Sequence, residues 1–104
     1  MRSDTIPHIA NHFRVLAEPA RLRLLAALRV GELPVTELVM ATGLGQANAS
    51  KHLNLLYEAG FVTRRKEGLF VFYALSDGDI MKLCDLMSAR LVTSGPRRRK
   101  KLGD

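Results

Sequence analysis

Within nine consecutive positions the chain places Gln46, Asn48, Ser50, Lys51, His52 and Asn54, and no carboxylate follows until Glu58. Two amide types, a hydroxyl, an ammonium and an imidazole can donate to and accept from the edges of nucleic-acid bases, and Ala47 stands among them in the same DNA-facing set. An acidic face would be repelled by phosphate; this one is not acidic. Further along, Arg64, Arg65 and Lys66 form a run of three cations suited to a polyanion backbone. A third reactive position is Cys84, the single thiol of the chain. There is no combination of nucleophile, base and acid, and no glycine-rich phosphate loop, so no catalytic residue is expected and the chain does not read as an enzyme.

These groups need elements to hold them. Ala49, Leu53 and Leu56 recur at i, i+4, i+7, which predicts a helix over about 46–59 with those three turned to a core. Gln46, Ala47, Ser50, Lys51 and Asn54 then face out, with Asn48 and His52 on the flanks. Gly60 closes this helix. Two strands are expected next, over about 61–66 and 69–75, joined by Glu67-Gly68. Alternation along the first strand sends Arg64 and Lys66 to one side and Arg65 to the other.

Upstream, Ile9, Phe13 and Leu16 predict a helix over 8–16. A second helix starts at Glu18-Pro19, where the first-turn proline needs no amide partner, and stops at Gly31. Leu22, Leu25 and Leu28 line one side of it, with Leu24 widening the stripe. Leu33-Pro34-Val35 has room for only a short edge strand, because Pro34 cannot donate to a ladder. Thr36 is the expected N-cap of a third helix ending near Gly43. Ser76-Asp77 begins a last helix to about Val92, stopped by Ser94-Gly95-Pro96.

The fold class is therefore mostly α with a small β-hairpin, in the order α-α-α-α-β-β-α. This is a winged helix–turn–helix: two short helices around a turn, followed by a basic hairpin. A chain of 104 residues fits one such domain, over residues 1–96. The formal charge of +6 is uneven, because residues 97–104 (RRRKKLGD) carry +4 of it, a basic tail expected to be disordered. No apolar run reaches the ~18–20 residues of a membrane span and no signal-peptide core is present, so a cytoplasmic protein without membrane contact is expected. Double-stranded DNA is the expected partner, and no cofactor is implied.

PARLRLLAAL, TELVMATGL and QANASKHLNLLYEAGFVTRRKEGLFVFYAL together resemble the ArsR/SmtB family of winged-helix bacterial repressors over roughly residues 9–92. The Ser50-x-His52-Leu53 segment and the Glu58-Ala59-Gly60-Phe61-Val62 exit into the wing carry the likeness. The resemblance implies a homodimer built from the first and last helices, bound to a pseudo-palindromic operator as a repressor and released by a ligand or by thiol oxidation. Position 45 is glycine where the family often has a capping serine, and Leu69 stands at the wing tip where a basic residue is common.

The signal is less legible. Metal-sensing relatives carry Cys-x-Cys early in the third helix, and the matching residues here are Val39 and Ala41. The last helix has no histidine, and Asp77, Asp79 and Asp85 offer only hard oxygens. His8 and His12 lie at i, i+4 without an evident third ligand, so no metal site is assigned. Cys84 falls on an apolar stripe with Ile80, Leu83, Met87 and Leu91, where it is either a small packing residue or a redox sensor. Two alternatives to the repressor thus stay open: a thiol-based sensor using Cys84, and a winged-helix protein-interaction module without specific DNA binding.

Overall fold

The computed structural model describes residues 1–93 as five helices and a three-stranded antiparallel sheet. The expected stop at Ser94-Gly95-Pro96 and the basic tail over 97–104 lie outside the described residues. Helix α1 spans Ile6–Leu16, two residues earlier than expected, with Pro7 tolerated in its first turn. Helix α2 spans Pro19–Ala27, and the Glu18 carboxylate accepts from the Ala20 amide at 3.4 Å. Its last expected turn tightens into a 3-10 turn over Leu28–Val30, closed by Gly31 at φ 128°. The inward stripe also differs from the expected one. Leu24, Leu25 and Leu28 are buried whereas Leu22 is exposed, so the i, i+3, i+4, i+7 set begins at Arg21 rather than Leu22.

Strand β1 (Leu33–Pro34) runs directly into α3 (Val35–Thr42). It pairs with β3 (Phe70–Leu75), Leu33 opposite Tyr73 and Pro34 opposite Phe72, which makes the hairpin of β2 (Val62–Glu67) and β3 part of a sheet in the order β1-β3-β2. This pairing displaces the expected cap. Pro34, held extended in the sheet at ψ 159°, occupies the N-cap of α3, and Thr36 falls inside the first turn. Gly43 ends α3 in the left-handed region at φ 74°, its amide bonded to the Val39 carbonyl at 2.9 Å.

Helix α4 spans Gln46–Glu58, and Gly60 at φ 86° turns the chain into β2 (Val62–Glu67). Glu67 pairs with Phe70, so the two central turn residues are Gly68-Leu69, one position later than the expected Glu67-Gly68. Gly68 has φ 59° and Leu69 does not have positive φ. That is the type II′ pattern, which requires glycine first. Helix α5 (Asp79–Thr93) begins after Asp77, whose carboxylate accepts from the Asp79 amide at 2.9 Å.

The core is built of leucines. Leu24, Leu25 and Leu28 of the α2 region, Leu38 of α3, and Leu53 and Leu56 of α4 are all fully buried, each worth about 1.5–3 kcal/mol. Val62 and Tyr73 join the sheet to this cluster, and Leu16 and Ile80 close it from α1 and α5. Beyond Ile80 the apolar stripe of α5 lies open. Leu83, Leu86, Met87, Leu91 and Val92 are exposed, as are Ile6 and Phe13 on α1.

Candidate nucleic-acid interface

The α3–turn–α4 unit presents α4 through a turn braced at both ends. The Thr42 hydroxyl donates to the Leu38 carbonyl at 2.7 Å and accepts from the Leu44 amide at 3.4 Å. Gly45 takes an extended conformation as the N-cap, and its carbonyl accepts from the Ala49 amide at 2.8 Å. With no side chain at the cap, the opening amides of α4 meet no internal acceptor from residue 45.

On α4, Gln46, Ala47, Asn48, Ser50, Lys51 and Asn54 are exposed, and Ala49, Leu53 and Leu56 are buried. His52 is not on an open flank. It is 9% exposed and completes the inward i, i+3, i+4, i+7 set with Ala49, Leu53 and Leu56. Its Nδ1 accepts a hydrogen bond from Arg21 Nε at 3.1 Å, which leaves the ring proton on Nε2. The same guanidinium donates through Nη1 to the Val15 carbonyl at 2.9 Å. Arg21 therefore ties the end of α1 to the inner side of α4. The sequence hides this role because a cation at an inward helix position reads as a surface residue; the signal for it is its place three residues before Leu24.

The wing separates its three cations. Arg64 and Lys66 lie opposite Tyr73 and Val71, and Arg65 lies opposite Phe72 on the other side of the sheet, as alternation requires. Arg64 donates to Asn54 Oδ1 at 3.3 Å and its guanidinium lies 4.0 Å above the Tyr57 ring. The Asn54 amide also donates to Glu58 at 3.4 Å. Asn54 is thus a bridge between α4 and β2 as well as an exposed polar group. Tyr57, Arg64, Lys66, Val71 and Tyr73 line an open groove of about 480 Å³ between α4 and the sheet.

Arg65 is placed differently. It reaches Glu32 through two hydrogen bonds of 2.8 Å and pairs with Glu67, while stacking 4.5 Å from the Phe72 ring. Hydrogen bonding to Glu32, then to Glu67, raises the affinity of the guanidinium for its proton, and Arg65 in turn holds the Glu32 carboxyl below its ordinary range. Two carboxylates already neutralise this cation. In this arrangement it fastens the wing to the segment preceding β1. By contrast, Lys51 and Lys66 form no ion pair among the described residues.

Elsewhere, His12 Nδ1 bonds the His8 carbonyl at 2.9 Å and its ring meets Phe61 edge-on at 5.0 Å. Among the described residues no group of three or more histidine, cysteine or acidic side chains could hold a metal ion. Cys84 is half-buried on α5. Its neighbour in sequence, Asp85, pairs with Arg29. No helix among the described residues is long and apolar enough to cross a membrane.

The likeness to known proteins agrees with this architecture. Residues 18–64 match the profile of "Bacterial regulatory protein, arsR family". The chain is 32% identical over 99 residues to the biofilm growth-associated repressor of Xylella fastidiosa (strain Temecula1), covering 84% of this chain and 87% of that one. The crystal structure of Mycobacterium tuberculosis Rv0081 superposes with a TM-score of 0.76 at 33% identity, over 86% of this chain and 90% of the other. The solution structure of the homodimeric winged helix-turn-helix DNA-binding domain of Mb0332 from Mycobacterium bovis gives the same TM-score at 26% identity, over 92% and 91%. The first of these relatives is named as a repressor, and the comparisons favour neither the interaction module nor the thiol sensor. The exposed helix of the helix–turn–helix and the wing beside it are those of a DNA-binding transcriptional regulator, and the chain belongs to the ArsR family.

Proposed function

We infer that two copies of the chain pair through α1 and α5 and present their α4 helices to successive major grooves about 34 Å apart, reading a pseudo-palindromic operator. The observation that carries this reading is the continuity of the exposed α4 face with the basic groove beside it. Gln46, Ser50 and Lys51 sit near the N-terminal end of α4 with nothing acidic among them, and Arg64 and Lys66 follow on the adjoining strand. Gln46 and Lys51 make hydrogen bonds to base edges, Ser50 serves either base or phosphate, and Ala47 and Asn48 complete the contact surface. His52 leaves this set because its ring is turned inward.

The pairing has its own support. Ile6 and Phe13 on α1, with Leu83, Leu86, Met87 and Leu91 on α5, leave two helices of one small domain with exposed apolar side chains. The homodimeric state of the Mycobacterium bovis domain is consistent with covering them by a second copy. Bound at an operator overlapping a promoter, such a dimer represses by excluding polymerase.

Selection of duplexes from a random pool by the purified protein, together with sedimentation at micromolar concentration, tests both parts. An enriched two-fold-symmetric sequence and a dimeric mass are expected. A monomer bound to a single unsymmetrical site would overturn the architecture.

A further inference from the structure

Helix α4 is held from two sides. Toward the wing, the exposed Asn54 accepts from Arg64 at 3.3 Å. Toward the interior, the buried His52 accepts from Arg21 Nε at 3.1 Å. The two holds differ in kind. Water competes for the exposed Asn54 bond, and Asn54 belongs to the face offered to DNA. The His52 bond is sheltered, and its donor is itself anchored, because Arg21 Nη1 holds the Val15 carbonyl at 2.9 Å.

The other inward residues of α4, Ala49, Leu53 and Leu56, are apolar and fully buried. Apolar burial is non-directional, so it fixes the depth of α4 more firmly than its roll about its own axis. A hydrogen bond weakens steeply as its angle falls, and so resists roll. At the start of the helix Gly45 supplies no side-chain cap that could do the same. Roll matters because bases are read far from the axis. Helix side chains reach about 5–6 Å from it, so a roll of about 10° moves their ends by about 1 Å. Recognition groups work within about 0.5 Å of their productive positions. Lys51 directly precedes His52 and Ser50 stands one residue before that, so both turn with the ring.

We propose that Arg21 is a positioning residue for base reading: through His52 it sets the roll of α4, and so the point at which Gln46, Ser50 and Lys51 meet the base edges. This role rests on the DNA-reading function given above. The bond to the Val15 carbonyl makes α1 the frame of reference, so the reading face of α4 is registered against a helix of the pairing surface. Phosphate contacts at the wing do not follow that roll, because Arg64 and Lys66 are carried by β2. Loss of Arg21 therefore removes selectivity and spares general affinity.

The test compares binding to a duplex recovered by the wild-type protein from a random pool with binding to random DNA, using folded, dimeric protein well below each melting point. Arg21→Met is expected to bind the recovered duplex roughly tenfold more weakly, and random DNA with unchanged affinity and salt slope. The double variant Arg21→Met, His52→Phe separates position from stability. It strands no acceptor, so its melting temperature falls by less than the two single changes together, whereas its selectivity stays as low as that of Arg21→Met. Leu28→Val thins the core about two helical turns from Arg21, and should melt lower with selectivity intact. Selectivity kept by Arg21→Met, regained by the double variant, or lost equally in Leu28→Val would each overturn the positioning role. Should Arg21→Met alone fail to fold, the double variant decides. In all these cases a wild-type protein that enriches a sequence leaves the DNA-reading function standing. A wild-type protein that enriches none would overturn both.

Discussion

Replacing Arg21 with methionine keeps much of its stem while removing two hydrogen bonds, from Nε to His52 at 3.1 Å and from Nη1 to the Val15 carbonyl at 2.9 Å. The two losses are unequal. Val15 is only half-buried near the end of α1, so water can replace the donor at its carbonyl. His52 is buried on the inner side of α4, and its Nδ1 is left without a donor. A buried acceptor stranded in this way costs about 1–3 kcal/mol, and the central figure of about 2 kcal/mol is the expected destabilisation. For a domain of this size that lowers the melting temperature by about 8–16 °C. Circular dichroism melts at matched protein concentration measure it, since self-association would otherwise shift the midpoint. The double variant Arg21→Met, His52→Phe removes donor and acceptor together and should lose less than the sum of the single changes, by about 1–2 kcal/mol. If Arg21→Met falls within about 0.5 kcal/mol of wild type, or if the two changes simply add, Arg21 is not the partner that holds His52.

Gln46→Ala and Lys51→Ala should each cost about 1–3 kcal/mol on the selected operator and less on random DNA, as read by fluorescence anisotropy. Arg64→Ala and Lys66→Ala should each reduce the salt slope of binding by about one unit, and Arg65→Ala should leave it unchanged because Glu32 and Glu67 already neutralise that cation. Since Arg65 holds the Glu32 carboxyl below its ordinary value of 4.5, the stability it contributes is complete above that pH. It is lost as pH falls through the lower value in the folded protein, so Glu32→Gln should flatten the acid limb of the urea midpoint between about pH 5 and pH 3. Gly43→Ala should cost about 1–2 kcal/mol through its backbone alone, because φ is 74° and an added Cβ meets nothing within 4 Å; a neutral urea midpoint would show that the turn relaxes.

Signals that act within a few residues were legible in the sequence. Gly43 and Gly60 mark helix ends because each is followed by a backbone reversal that needs positive φ, and the alternation of Arg64, Arg65 and Lys66 across the hairpin needs only the period of a strand. The failures share a different origin. Thr36 satisfies every local criterion for a cap, yet the pairing of Pro34 with Phe72, distant in sequence, starts α3 earlier. Glu67-Gly68 places the glycine second, but the ladder register places it first. His52 is expected on a flank, whereas it lies inward with Ala49, Leu53 and Leu56. Its inward position is tolerable only because Arg21, thirty-one residues earlier, supplies a donor. Arg65 likewise looks like a free cation until Glu32 is brought to it by the fold.

The sheet order β1-β3-β2 has a consequence for how these molecules tolerate crowding. Both outer strands expose backbone groups, and an open strand is a template on which another chain can add itself. One outer strand is two residues long and ends in a proline that has no amide to donate. The other carries Arg64 and Lys66, neither in an ion pair among the described residues, so a second copy approaching it edge to edge would set like charges side by side. Neither edge therefore offers a second copy an easy strand to extend, so a crowded population of these molecules is protected from fusing into a continuous sheet.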